Sequence, residues 1–475
     1  MARRAKKWDP SGEHWHLIGI LGTGMQGLAR YAVQRGVRVN GSDLQASPAM
    51  KDLVSLGINV RLKQDGQGIG PDTDLVVASQ AIREDNPEYV AAQRLGIETV
   101  RYPELLGRLM DAQPGVAVAG VHGKSTTTSA IAYVMQRAGA DPSYIVGADI
   151  PQLGGGSYYG KGPYLVVEAC EYKRSFLYLW PRIGAITNVE AEHLDYYYGL
   201  WDIQQAFCDF ASQVDPRGAL VVNADDDNAL QCAEGARCQV LRYGIDSPRA
   251  HYRAECIWRA KKHTNFDLVY RGRRQGRFSI RLYGTHNVYN ALAAIAACHQ
   301  AGLELDQIRG PLGEFEGAAR RLQLLGQPWD VAILSDYAHH PTEIQATLAA
   351  TQQRFPKRRI FCIFQPHQYS RTRVMLPQFA DAFEQAWLTL ITDIYAARDS
   401  DEDRQSISAM DLVHLMNHRG LTAHYVPAFD DIEDMIVGDV VPGDVVLVMG
   451  AGNVWQIAYD IVPRVREKGR KQIAA

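Results

Sequence analysis

Residues 116–138 read VAVAGVHGKSTTTSAIAYVMQRA, and the fold can be worked out from this stretch outward. Val116, Ala117, Val118 and Ala119 make a run of small apolar residues that suits a buried strand. Gly120 to Lys124 form a glycine-bounded turn, and Ala130, Ile131, Val134, Met135 and Ala138 recur at helical spacing. The order is strand, phosphate loop, helix. Glycines let backbone N–H groups approach a polyphosphate, and the following helix N-terminus adds its positive dipole end. Lys124 can reach the outer phosphates, and Ser125 or Thr126 can offer a hydroxyl to Mg2+. The expected ligand is ATP or GTP. Val118 stands where the longer nucleotide-loop pattern has glycine, so the shorter G-x-x-G-K-[ST], Gly120 to Ser125, carries the reading.

Upstream, HWHLIGIL leads into GTGMQG, then a helical stretch and a second strand ending near Asp43. Gly22, Gly24 and Gly27 satisfy G-x-G-x-x-G between strand and helix, with the carboxylate about 20 residues on. Alone, this fingerprint indicates an NAD(P) dehydrogenase. Its physics is diphosphate recognition at a helix N-terminus with a carboxylate for a sugar hydroxyl, which a UDP-sugar also meets. Ala112 to Gly115, with Pro114, reads as a linker.

The chain has 475 residues, too many for one ordinary core. A hydrophobic fraction of 46% and a charged fraction of 22% describe a globular protein, and a net charge of -3 offers no broad case for nucleic acid or an anionic membrane. No apolar run reaches membrane-spanning length, and the basic start MARRAKK reads as a solvated tail. Seven cysteines without a C-x-x-C pair fit free thiols in a reducing cytoplasm.

Beyond the phosphate loop, the glycine-rich stretch from Gly154 to Gly162 reads as a mobile loop. LVVE then delivers Glu168 at a strand end, a candidate Mg2+ ligand. IGAITN delivers Asn188 and then His193, whose imidazole could hold a second metal or a phosphate oxygen. ALVVNADDD ends in Asn223, Asp225 and Asp227, read mostly as a solvated loop. Residues 250–282 read as a basic edge hairpin, and GTHNVYNALAAIAACHQAG as a helix from Asn287, with Asn290 on its first turn. In the last third, VAILS, IFCIF, WLTLIT and DVVLVM each release polar or glycine residues at the same end. That is the pattern of a doubly wound sheet with a site along its carboxyl edge, between domains.

GTGMQG, GVHGKSTTT, EACEYKRSF, TNVEAEHLDYY, HNVYNALAA, DYAHHPTEI, FQPHQYSRTR, DIYAA and GAGN occur in the order of the Mur ligases of peptidoglycan synthesis, and the chain resembles that family over nearly its whole length. The resemblance implies an α/β protein of three domains: a Rossmann-like UDP-sugar domain (1–112), a central P-loop-type ATPase domain (113–312) and a Rossmann-like C-terminal domain (313–475). It implies a cytoplasmic ligase, monomer or homodimer, with no nucleic-acid or membrane partner, that uses ATP and Mg2+ to join L-alanine to UDP-N-acetylmuramate through an acyl phosphate. Gly22, Thr23, Gly24, Gly27, Asp43 and Ser79 would hold the UDP-sugar. Gly120, His122, Gly123, Lys124, Ser125 and Thr126 would wrap the ATP phosphates, with Ser125, Glu168 and His193 on metal. Asn287 and Asn290 would lie near adenine, with Arg320, Arg321 and Asp336 on the nucleotide side. His339, His340 and Arg371 would place L-alanine, and one of the histidines could accept its proton.

The spelling departs from the family's usual form at Val121, Ser125, Cys170, Lys173 and Gln368. Gln368 replaces a frequent arginine that could grip the amino acid's carboxylate, which leaves glycine and L-serine open as substrates. The other readings are a recycling ligase that attaches a murein tripeptide, an NAD-dependent dehydrogenase and a non-catalytic UDP-sugar sensor.

Overall fold

Short apolar runs alternating with helices build the first sheet: β1 (His14–Ile18), β2 (Arg38–Ser42), β3 (Asn59–Arg61), β4 (Leu75–Ala78) and β5 (Glu98–Arg101). All are parallel, in the order β3-β2-β1-β4-β5. Neighbours on the two sides of β1 are reached by opposite turns of the chain, which opens a crevice at its carboxyl end. The helix Thr23–Gln34 starts there, directly after Gly22. This computed structural model describes residues 8–260, 262–397 and 399–474; the basic start MARRAKK lies outside them.

The second sheet is built around β6 (Gly115–Ala119). Its other strands are β7 (Ser143–Ile145), β8 (Ser157–Tyr158), β9 (Leu165–Glu168), β10 (Ile183–Ile186), β11 (Ala219–Asn223), β12 (Gln239–Gly244), β13 (Tyr252–Ala260), β14 (His263–Tyr270) and β15 (Arg273–Ile280). The order is β15-β14-β13-β12-β11-β10-β6-β9-β7-β8. Every residue of β6 is buried, the mark of a parallel strand covered on both faces. The basic hairpin is present as antiparallel β13, β14 and β15, with Arg273, Arg274 and Arg277 on the edge strand. Charge on an edge discourages pairing with another chain.

These two sheets share one compact unit (residues through Glu192, Tyr198–Arg281 and Val288–Glu316). Tyr159 packs edge-on against Tyr31 at 5.6 Å, and its N–H donates to Gln34 Oε1 at 2.8 Å. Gln80 Nε2 donates to Ser175 Oγ at 3.2 Å, a second tie between the sheets.

The other unit comprises His193–Tyr197, Leu282–Asn287 and the chain from Gly317 onward. Its sheet contains β16 (Gln323–Gly326), β17 (Ala332–Asp336), β18 (Ile360–Phe364), β19 (Leu388–Ile391), β20 (Ala423–Tyr425) and β21 (Val445–Met449), in the order β16-β17-β21-β18-β19-β20. Only β16 runs antiparallel. Apolar layers cover both faces, one around Leu334, Cys362 and Leu447 and one around Ile333, Ile363 and Val446.

Two loop expectations change. The stretch from Gly154 to Gly162, expected to be mobile, contains β8 and is pinned: Gly160 N donates to Ser143 Oγ at 3.1 Å and Gly162 N to the Asp141 carbonyl at 2.7 Å. The turn after β11, expected to be solvated, is tied down instead. Asp226 caps the helix Asp227–Cys232 by accepting from Ala229 N, and Asn223 Nδ2 donates to the Thr187 carbonyl at 3.1 Å. Among the described residues, no helix is long and apolar enough to cross a membrane.

Phe176 ends the EACEYKRSF segment and fixes it to the scaffold. It is fully buried, stacked on Phe210 at 5.2 Å and edge-on to Phe207 at 5.1 Å, both on the helix Leu200–Gln213. Phe176→Ala is expected to cost about 3–5 kcal/mol of stability, read as a lower urea midpoint for the unit that holds this helix.

Candidate active site

The phosphate loop leaves β6 through conformations that only glycine adopts without strain. Gly120 has φ +139° and Gly123 φ +80°; a Cβ would strike the Thr187 hydroxyl at the first and the Asn290 side-chain oxygen at the second. The end of β10 holds the loop from the side. His122 N donates to Asn188 Oδ1 at 2.8 Å, while Thr187 Oγ1 and Asn188 Nδ2 donate to the His122 carbonyl at 2.6 and 3.0 Å. The helix Lys124–Arg137 then begins with Gly123 as its N-cap and no side-chain cap, which leaves first-turn amides for an anion.

Lys124 is drawn back onto its own loop. Its Nζ donates to the carbonyls of Gly120 and Val121 (3.0 Å for the latter) and lies 3.0 and 2.9 Å from the two Glu171 carboxylate oxygens. Burial works against the ammonium, but Glu171, with Cys170 and Glu168, overrides it and holds its pKa above the usual lysine value. Glu171 is 1% exposed. The sequence reading passed over it in favour of Glu168; its signal was present as a second carboxylate three residues on.

Ser125 Oγ donates to Glu168 Oε2 at 3.1 Å, and Gly147 N donates to Glu168 Oε1 at 2.7 Å. A hydroxyl and an oriented carboxylate beside a phosphate loop are the hard oxygen donors that Mg2+ takes, so these residues fit that ion. His122 Nε2 is 3.6 Å from Glu190 Oε2. Thr126 is buried in the first helical turn. Asn290 Oδ1 accepts from Thr127 Oγ1 at 3.3 Å, which brings the helix Thr285–Gln300 to the loop. Asp225 accepts from the amides of Ile245, Asp246 and Ser247 and from the Tyr289 hydroxyl. Burial opposes its charge, and these donors overcome it, holding the carboxyl below its usual range.

In the first sheet, Gly22, Thr23, Gly24 and Gly27 open the helix after β1. Asp43 accepts from Leu21 N at 2.9 Å and Leu44 N at 2.8 Å, so its carboxylate shapes the glycine loop from beneath. Ser79 follows β4, and its Oγ accepts from Ala81 N at 3.4 Å. Beside it is a cavity of about 510 Å³ lined by Gln80–Asp85, Arg101 and Lys173. Sequence reasoning had not assigned those residues.

In the second unit, Asp336 ends β17 and accepts from Leu322 N at 2.6 Å and Ala338 N at 2.7 Å. Burial raises its pKa to about 6 against the pull of Arg321. Arg320 donates to the Gly450 carbonyl at 2.6 Å, and both Arg320 and Arg321 lie over the Tyr337 ring. Asn287 Nδ2 donates to the Tyr283 carbonyl at 2.7 Å. His193 adopts φ +54°.

His340 caps the helix Pro341–Arg354, accepting from Thr342 N at 3.3 Å. His339 instead turns toward the ends of β18 and β19. It lies edge-on to His367 at 5.8 Å, His367 stacks on Tyr395 at 5.6 Å, and Arg371 Nη1 reaches the His367 carbonyl at 3.3 Å. The structure thus joins His339 and Arg371 through His367, on which Tyr395 stacks, two residues the sequence reading did not single out. Gln368 is 2% exposed with φ +72°.

Three family models match the chain: Mur ligase family, catalytic domain, over residues 14–114; Mur ligase middle domain over 118–298; and Mur ligase, glutamate ligase domain, over 320–452. The chain is 40% identical to the UDP-N-acetylmuramate–L-alanine ligase of Caldanaerobacter subterraneus, covering 93% of this chain and 95% of that one. It is also 40% identical to the enzyme of that name from Pelotomaculum thermopropionicum, covering 96% and 98%. Among solved structures, it is similar to the UDP-N-acetylmuramate-alanine ligase of Thermotoga maritima, with a TM-score of 0.82 and 26% identity over 96% of this chain and 99% of that one.

Two outcomes follow from these environments. Glu171→Gln leaves the Lys124 ammonium without its compensating charge and is expected to cost about 3–5 kcal/mol in urea unfolding, whereas Glu171→Asp recovers part of the loss. Asp336, with its folded pKa raised to about 6, binds its proton more tightly folded than unfolded. Its stabilising contribution is therefore complete below the unfolded carboxyl pKa and lost as pH rises through about 6. Thermal unfolding of the wild type against Asp336→Asn should shift in the variant's favour over that window, by at most about 1.4 kcal/mol per pH unit.

Proposed function

The chain belongs to the Mur ligase family, and from that premise we propose that it joins L-alanine to the lactoyl carboxylate of UDP-N-acetylmuramate, with ATP converted to ADP and phosphate. The observation that carries the reading is the phosphate loop itself: Lys124 held by Glu171 and Ser125 held by Glu168, on a chain 40% identical over nearly its full length to proteins named for that activity.

In this reading ATP phosphorylates the sugar's carboxylate, and the amine of L-alanine attacks the resulting acyl phosphate. The tetrahedral intermediate then collapses to the amide and releases phosphate. Gly120 to Thr126 bind the ATP phosphates through backbone amides, and Lys124 leaves the loop carbonyls to meet charge developing on the transferred phosphoryl group. Ser125 and Glu168 would hold one Mg2+ and His193 a second, and the ions would supply charge neutralisation of the phosphates. Asn287 and Asn290 serve the adenine, and Arg320, Arg321 and Asp336 the nucleotide.

Gly22, Thr23, Gly24, Gly27 and Ser79 bind the UDP moiety, with Asp43 setting the loop's shape. His339 and Arg371 receive the amino acid, Arg371 gripping its carboxylate and His339 facing its amine. His340 contributes by fixing the helix that carries this turn. Gln368 cannot supply the charge of the arginine it replaces, and its buried position leaves the carboxylate to Arg371. The free state of all seven cysteines fits a cytoplasmic enzyme.

Phosphate release from the purified protein with MgATP and UDP-N-acetylmuramate is expected to require L-alanine and to vanish in Lys124→Ala. Release that depends on glycine or L-serine alone would reassign the amino acid, and release with only the tripeptide would make the chain a recycling ligase. Arg371→Ala should raise KM for L-alanine by about tenfold or more, the loss of one charge-assisted pair, while KM for ATP stays near the wild-type value.

A further inference from the structure

The helices Leu200–Gln213 and Asp227–Cys232 pack against each other, and each carries a cysteine on the shared face. Cys232 is fully buried and donates its thiol hydrogen to the Gln204 carbonyl at 3.4 Å. One turn along the same helix from Gln204 sits Cys208, which places both thiols on the seam between the helices, Cys208 only half-buried. The ligase chemistry uses neither.

We propose that Cys208 and Cys232 form a peroxide-responsive dithiol that closes reversibly to a disulfide and acts on the phosphate loop through Arg174. Cys208 is the less buried of the two residues. As thiolate it attacks a peroxide oxygen, the O–O bond breaks, water leaves and Cys208 becomes a sulfenic acid. The Cys232 sulfur then attacks that sulfenic sulfur, the S–O bond breaks, and a second water carries away the oxygen with the two remaining protons. In balance, two thiols are oxidised to one disulfide and one peroxide is reduced to two waters.

The asymmetry of the pair suits this order. Burial pushes the Cys232 thiol well up, which protects it from peroxide in solution and reserves it for a partner delivered alongside. Closing the two sulfurs to about 2.05 Å draws the helices together along the seam they share.

That movement has an outlet. Asp209, the residue after Cys208, lies 3.7 Å from Arg174, and Asp202 on the same helix accepts from Arg174 Nη2 at 2.5 Å. Arg174 follows Glu171 by three residues in the segment that holds Lys124. A displaced helix therefore pulls on the lysine's partner.

The test begins with the full chain, reduced, desalted, treated with hydrogen peroxide, alkylated and digested. A cross-linked peptide joining Cys208 to Cys232, lost on adding dithiothreitol, is the expected result. Cys232→Ser should leave a Cys208 sulfenic acid that dimedone traps, and Cys208→Ser should form no cross-link. Phosphate release by the oxidised enzyme should fall by roughly threefold or more and recover with reductant.

Absence of the linked peptide in the treated wild type overturns the dithiol, and a linked peptide with unchanged turnover overturns its action on the loop. The turnover measurement rests on the ligase reading. If the reduced enzyme releases no phosphate with any acceptor, that reading fails, and the peptide map still decides the dithiol.

Discussion

The Lys124 ammonium pressed against the Glu171 carboxylate is the interaction on which the arrangement of the phosphate loop depends. A lysine this enclosed loses most of its hydration, and two loop carbonyls alone would not offset that loss; the full negative charge of Glu171 does. The pairing in turn requires β6 and β9 to be neighbours in a fixed register. Val118 sits opposite Glu168, so the end of β9 emerges alongside the first residue of the loop. From there Glu168 meets Ser125 and, three residues later, Glu171 meets Lys124. A one-residue slip in register would turn both carboxylates to the wrong side.

Holding that strand end costs backbone strain. Lys173 and Arg174 both take left-handed conformations, φ +51° and +54°, which non-glycine residues adopt only when their surroundings fix them. The surroundings are explicit: Arg174 is tied to Asp202, Ser175 receives Gln80 from the first sheet, and Phe176 is locked between Phe207 and Phe210. One short segment thus joins the phosphate loop, the glycine-loop domain and the helix that carries Cys208. Strain at Lys173 and Arg174 is the consequence of meeting all three at once.

Much of this was legible in the sequence because parallel strands buried on both faces read as unbroken apolar runs, and their carboxyl ends read as the polar residues that follow. Glu168, Asn188, Asp336 and the GAGN turn were found this way. What was missed depends on pairing between distant strands. Glu171 differs from Glu168 only in which side chain it faces. His367 and Tyr395 meet because β18 and β19 are adjacent. Asp225 looked like one acid in a solvated run, since its four donors come from Ile245, Asp246, Ser247 and Tyr289, beyond the next strand or on a later helix. His339 and His340 are identical in the sequence and diverge because the second sits at the N-cap of a helix that Pro341 begins.

The first domain shows why its glycine fingerprint is a weak guide to the ligand. In a dinucleotide site the acid at the end of the second strand is selective because it meets a ribose hydroxyl. Here each carboxylate oxygen of Asp43 already accepts a backbone N–H, from Leu44 and from Leu21, and the second of these bonds belongs to the glycine loop itself. Asp43 therefore spends its charge on the shape of the glycine loop. Beyond the loop is a cavity of about 510 Å³ lined by Gln80–Asp85, Arg101 and Lys173. Lys173 comes from the same segment as Glu171, so whatever fills that cavity touches the chain that holds the phosphate-loop lysine.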